Sequence, residues 1–255
     1  KYLHYMGIKL DSQDVKMELE FRRVPQEDLY GLTLENIHTI FAVMDYKTKV
    51  QFMCQLSSVM RIGEITQLRK KHLDLSRQNI VIKIPPHIAK FKKGRTTMFS
   101  KESSILLRPL LRTKDDEDLV FVKNPNAHHA EVNSEAKLRR ALVKSGLDMK
   151  KSTTNRYLIN THSFRAYGIT KLSRHDRPFA KKLAGQKSYM DQYDRLDDDE
   201  KLALYQKYEY ELIIDESKRD KERIKQLESE KDIQMNDMQE QLDSIRKLMK
   251  DNHKN

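Results

Sequence analysis

The 255-residue chain contains no tryptophan, one cysteine, seven glycines and six prolines. A single cysteine excludes an intrachain disulfide and a cysteine-based zinc site, and it fits an intracellular, cytoplasmic setting. Cys54 lies in the apolar stretch Val50-Gln51-Phe52-Met53-Cys54 and reads as a plain core residue. No run of about 18 apolar residues occurs, which excludes a membrane-spanning helix. No stretch of the given sequence reads as a signal peptide. The chain opens on Lys1 and is expected to be a fragment whose true N-terminus lies upstream. Its length suits one medium domain with an appendage.

Charge is present in excess and is unevenly spread. The net charge is +11, from 49 Lys and Arg against 38 Asp and Glu. Residues 215–255 hold 10 basic and 11 acidic residues, which leaves 39 basic and 27 acidic residues, or +12, on residues 1–214. A basic body of this kind suggests a polyanionic partner.

The hydrophobic pattern predicts a mainly α fold with one small β-sheet. Residues 1–30 read as a linker or the remnant of a DNA-binding domain that lies upstream. Thr33 is a predicted N-cap, followed by Leu34, Ile37, Ile40, Phe41 and Met44 at helical spacing. A second helix is expected over about 48–60, and a short third after Gly63. The period then changes. Asn79–Pro85 is β-branched and alternating, Lys90–Arg95 reads as a basic turn, and Thr96–Phe99 as the return strand. Leu119–Val122 is expected to be another short strand. Further helices are predicted at about 134–145, 163–173, 178–183 and 199–210.

From about Ile213 onward there is neither proline nor glycine. Ile224, Leu227, Met235, Met238, Leu242, Ile245 and Met249, with Lys231 among them, follow steps of three and four. That is a heptad seam with one stutter. So polar a helix is marginal alone in water, so residues 215–255 are expected to form a coiled coil between protomers.

Chemistry-bearing residues occur at three places. His162 and Arg165, in Thr161-His162-Ser163-Phe164-Arg165, share one helix face at i, i+3. About a hundred residues upstream, Arg61 precedes Gly63-Glu64-Ile65, and Glu64 is placed to orient it by a salt bridge. Tyr193 follows Arg165 by 28 residues. Two guanidinium forks around one phosphate, with a histidine and a tyrosine beside them, make a phosphoryl-transfer site that needs no metal.

This order resembles the tyrosine recombinases, and the acidic stretch after Tyr193 resembles their archaeal branch. The resemblance covers about 31–214 and implies a catalytic domain of that family. It implies a site-specific recombinase or integrase of a mobile element, acting on double-stranded DNA through a 3′-phosphotyrosine. It also implies no metal, ATP or small-molecule cofactor, and assembly as a homo-oligomer. Arg61, Arg165, His162 and Gln186 would hold the phosphate, and Tyr193 would attack it. Lys90 would be the general acid, with Lys92 and Lys93 as alternatives. Lys92, Lys93 and Arg95 would contact DNA. Gln186 departs from the pattern, since most family members carry His or Trp there; its amide can donate a hydrogen bond but cannot carry a proton. Tyr189, Tyr205, Tyr208 and Tyr210 are the competing nucleophiles, and Tyr208 and Tyr210 read better as packing. Two other readings stand beside the first: a type IB topoisomerase-like activity, and a DNA-binding assembly protein with a degenerate site.

Overall fold

The computed structural model describes residues 6, 7, 11, 30–186 and 196–252, with side chains given as far as 242 and at 245. Helix α1 (Leu34–Ala42) starts where expected. Thr33 accepts from the Asn36 amide, and the Asn36 side chain accepts from Thr33 in return. Helix α2 (Tyr46–Ser58) is capped by Asp45. Ten of its thirteen residues are buried, so it is surrounded on all sides rather than amphipathic.

Helix α2 ends at Val59, which adopts the left-handed conformation at φ 50°. A β-branched residue there is strained. The turn leads directly to the short helix α3 (Ile62–Thr66). Three antiparallel strands come next, β1 (Leu73–Asp74), β2 (Val81–Ile84) and β3 (Arg95–Met98), in the order β1-β2-β3. Ile82 pairs with Thr97 and Ile84 with Arg95, so residues 85–94 form the loop of a hairpin.

The rest is helical: α4 (Lys101–Leu111), α5 (Ala127–Ser145), α6 (Thr161–Ser173), α7 (Arg177–Ala184), α8 (Asp198–Tyr208) and α9 (Glu216–Asn252). The chain is therefore mostly helical with one small sheet. Two apolar clusters hold it together. One joins α1, α2, α5, α6 and α7 around Phe41, Phe52 and Phe164, whose rings lie 5.0–5.7 Å apart. The other packs the sheet and α4 through Ile80, Ile82, Phe99 and Phe121. No described helix is long and apolar enough to cross a membrane.

Two elements differ from expectation. Leu119–Val122 is not a strand: Leu119 makes one isolated bridge to Arg69, and Val120 donates to Leu68, so this buried run only passes beside the chain after α3. Helix α4 had no clear sequence signature. Pro109 sits inside it, close to its C-terminal end, and Ser103 and Ser104 dilute its apolar face.

Helices α2 and α6 approach each other closely at Gly168. A Cβ there would collide with the Leu56 carbonyl and lie 2.8 Å from Val59 Cγ1. Gly168→Ala is therefore expected to force the two helices apart and to cost about 2 kcal/mol in urea unfolding. Wild-type stability in this variant would show that the helices separate freely.

Candidate active site

The turn after α2 and the start of α3 place the first arginine. Arg61 is the N-terminal cap residue of α3, and its backbone amide donates to Glu64 Oε2 at 2.9 Å. Its guanidinium reaches Glu64 Oε1 at 3.4 Å and remains partly exposed. Helix α6 places the second. Asn160 caps it by accepting from the His162 amide at 2.9 Å, so His162 lies in the first turn and Arg165 one turn on.

Arg165 is the largest fully buried side chain described, at 1% exposure. It donates through Nη1 to the Val59 carbonyl and through Nη2 to the Ala184 carbonyl at 2.7 Å. Its Nε has no hydrogen-bond partner among the described residues. Both hydrogen-bond partners are neutral carbonyls, so among the described residues no direct ion pair holds the charge. Burial, reinforced by Arg61, pushes the Arg165 guanidinium down to about 9 against the opposing pull of Glu64. It still carries its proton at neutral pH, and a bound anion would relieve the cost.

A cleft of about 450 Å³ opens at this point, lined by Gln55, Arg61, Glu64, Lys90, His162 and Arg165, with Glu131 at one side. A second cleft of about 310 Å³ adjoins it and shares Arg61, Glu64 and Lys90. It adds Lys93, Arg95 and Gln186. The structure thus brings together Arg61, Lys90, His162, Arg165 and Gln186 across two neighbouring hollows. Tyr193 and Tyr189 lie outside the described residues. Burial lowers the His162 imidazole below its ordinary value, and Arg165, Arg61 and Lys90 act in the same direction. His162 is therefore neutral at pH 7 and able to accept a proton.

Arg95 departs from the expected DNA-facing role. It is nearly buried and forks onto Glu64, Nη1 to Oε1 at 2.9 Å and Nη2 to Oε2 at 2.7 Å, while its Nε donates to the Leu183 carbonyl at 2.9 Å. One carboxylate thus joins α3, β3 and the end of α7. Gly185 completes the fit at φ 63°, where a Cβ would lie 2.9 Å from Arg95 Cδ. Gln186 is the next residue, and its backbone amide donates to the Lys181 carbonyl at 3.0 Å. Lys92 and Lys93 remain exposed on the hairpin loop, Lys92 with its Nζ 3.2 Å from the His87 carbonyl.

Three of the competing tyrosines are structural. Tyr205 is fully buried, donates to the Ser57 carbonyl at 2.8 Å, and is pushed well above the ordinary tyrosine range by burial. Tyr208 stacks on His175, and the Tyr210 hydroxyl lies 3.3 Å from His175 Nε2.

Sequence reasoning missed Gln55. It is fully buried, and Nε2 donates to the Thr161 carbonyl at 3.0 Å in the first turn of α6. Its Oε1 is without a partner among the described residues. The available signal was Gln51 and Gln55 recurring at i, i+4 in an apolar helix; Gln51 is likewise buried and bonds Ser134. A basic hairpin was also missed. Lys150 bridges Tyr157, and Arg139 Cζ and Lys150 Nζ lie 5.9 and 5.1 Å from the Tyr157 ring centre. These residues line a third cleft of about 500 Å³ that meets the first at Thr161.

Residues 31–189 match the phage integrase family. Among solved structures, the integrase from mycobacterium phage Brujita superposes with a TM-score of 0.56 at 14% identity, over 84% of this chain and 68% of that one. The Tn1549 transposon integrase, solved in complex with a circular intermediate DNA, gives 0.51 at 15% identity, over 79% and 73%. The XerA recombinase gives 0.50 at 18% identity, over 80% and 70%. At these identities the likeness is one of fold. No curated protein sequence matches the chain.

The Glu64 carboxyl gives a pH test. Burial alone would raise it, but the Arg95 fork and the Arg61 amide and charge hold it below its ordinary 4.5. Its contribution is complete above that value and is lost as pH falls through the lower, folded one. Glu64→Gln is expected to cost about 3 kcal/mol in urea unfolding at pH 7, with a smaller difference from wild type at pH 3.5. An equal difference at both pH values would contradict the pairing.

Proposed function

Because the chain belongs to the phage integrase family, the tyrosine recombinases, we propose that it is a site-specific DNA recombinase that cleaves and rejoins strands through a 3′-phosphotyrosine. Members of this family are DNA strand transferases, and integration or excision of a mobile element is the role proposed here. The observation that carries the reading is Arg165: a buried guanidinium with an unused Nε, beside His162 and Arg61 in one cleft. A backbone phosphate is the anion that such an arrangement fits.

In the proposed step the Tyr193 oxygen forms a bond to phosphorus as the bond to the 5′ oxygen breaks. The phenol proton passes to neutral His162. Lys90 gives a proton to the departing 5′ oxygen, which would otherwise leave poorly as an alkoxide. Arg61 and Arg165 fork onto the non-bridging oxygens, where charge builds in the transition state. Gln186 adds one hydrogen bond. A 5′ hydroxyl then reverses the step. The phosphotyrosine keeps the bond energy, so resealing draws on no ATP.

Incubation with a nicked suicide duplex and then a denaturing gel tests this. The full chain is expected to form a covalent adduct and Tyr193→Phe none. Arg165→Lys is expected to cleave at least a hundredfold more slowly, or about 2.7 kcal/mol, because an ammonium cannot replace the fork. An adduct that persists in Tyr193→Phe would overturn the assignment.

The tail is proposed to join protomers. Ile224, Leu227, Met235, Met238, Leu242 and Ile245 on α9 are each 47–59% exposed, and a second copy of the same seam would bury them. Deleting residues 216–255 is expected to convert an oligomer to a monomer in sedimentation and to leave adduct formation intact. A full chain that stays monomeric at high micromolar concentration would refute this.

A further inference from the structure

Phe91 stands apart from the other described phenylalanines. Phe41, Phe52, Phe99, Phe121, Phe164 and Phe179 are all buried, at 3% exposure or less, whereas Phe91 is 50% exposed. It sits in the β2–β3 loop between Lys90 and Lys92, and Lys92 takes a left-handed φ of 52°. Arg61 Cζ lies 5.4 Å from the centre of the Phe91 ring and Lys90 Nζ 6.0 Å from it. The ring thus lies beside two cations of the candidate site.

The surroundings say what such a ring can receive. It lines the cleft of about 310 Å³ together with Arg61, Lys90 and Lys93; Arg95 and Lys201 also border it but are paired with Glu64 and, at 3.0 Å, with Asp198. An apolar peptide face would be out of place among these charges. A nucleotide supplies both requirements at once, phosphate oxygens for the cations and a base face for the ring. Resting on the strand-transfer reading above, we propose that Phe91 stacks on a nucleobase next to the phosphate held by Arg61 and Arg165. Strand exchange needs bases beside the cut to leave their partners, and an aromatic ring there would hold one while it is unpaired. Phe91 then acts in substrate selection, through the base and not through the phosphate.

The chain has no tryptophan, so Phe91→Trp in the 255-residue chain puts a unique fluorophore at this point. Two single-stranded probes of equal length and charge separate base from backbone: a thymidine 12-mer and an abasic deoxyribose-phosphate 12-mer. Binding of each is measured independently through a label on the probe. The thymidine probe is expected to quench the indole at least twofold, and the abasic probe to bind without quenching. Equal quenching by both, or none by either bound probe, would overturn the stacking role. A second measurement uses cleavage. Phe91→Ala and removal of the base beside the cut are each expected to slow adduct formation about tenfold, and together no more than either alone. Multiplying effects would make Phe91 only a support for Arg61 and Lys90, and would overturn the proposal. Base-specific quenching in a chain that forms no Tyr193-dependent adduct would reject strand transfer and leave the stacking intact.

Discussion

A buried cation whose hydrogen bonds go to main-chain carbonyls is the constraint around which this fold is arranged. Arg165 can remain at 1% exposure only because two main-chain carbonyls, of Val59 and Ala184, point at it. Each is supplied by the end of a helix, where carbonyls lack intrahelical donors and carry the negative end of the dipole. Val59 comes directly after α2 and takes the left-handed conformation to end it; Ala184 is the last residue of α7. The strain at Val59 and the absence of a side chain at Gly168 belong to the same solution. Together they let α2 and α6 approach closely enough for one guanidinium to reach across.

A second interaction keeps the other arginine in place. Glu64 has Arg95 on both oxygens, the Arg61 amide on one and the Arg61 guanidinium more distantly on the other. Arg95 satisfies the buried carboxylate, which leaves Arg61 partly exposed and only loosely engaged. Geometry divides the labour between them. The bidentate, nearly buried pair is structural; the long, partly exposed contact at 3.4 Å is one that an incoming phosphate can compete with. The hairpin loop hangs from the same arrangement, because Arg95 is the first residue of β3 and anchors the loop end opposite Lys90.

Much of this was legible in one dimension, for reasons that can be named. His162 and Arg165 share a helix face, so local spacing carried the information. Lys90 and the strands around it come from β-branched alternation bounded by prolines and glycine. The pairing of Arg95 was not legible because, in sequence, it is one more basic residue in a basic turn; its partner is 31 residues away and the Leu183 carbonyl 88 away. Gln55 was passed over because its role depends on a cleft built by other helices. Helix α4 escaped because Pro109 usually marks an end, and here it sits inside the helix, two residues before its last residue.

The body of the protein controls the direction of the tail by gripping its root. Glu102, at the start of α4, accepts the Ile214 and Asp215 amides at 2.8 and 3.1 Å. Glu209, just before them, accepts the Lys101 amide at 2.6 Å and the Asn79 side chain at 2.8 Å. The two carboxylates therefore clasp neighbouring residues in opposite senses, from α4 to the tail and from the tail to α4. Lys101 then reaches Glu222 at 3.3 Å, and Arg223 lies over the Tyr210 ring at 4.5 Å. The first two turns of α9 are held at several points, whereas Ile233, Met235, Met238, Leu242 and Ile245 beyond them are exposed. A helix tethered only by a flexible loop could find a partner in any direction. One clasped at its root offers its seam in a direction that the body dictates, so pairing along that seam would also fix the relative placement of two candidate active sites.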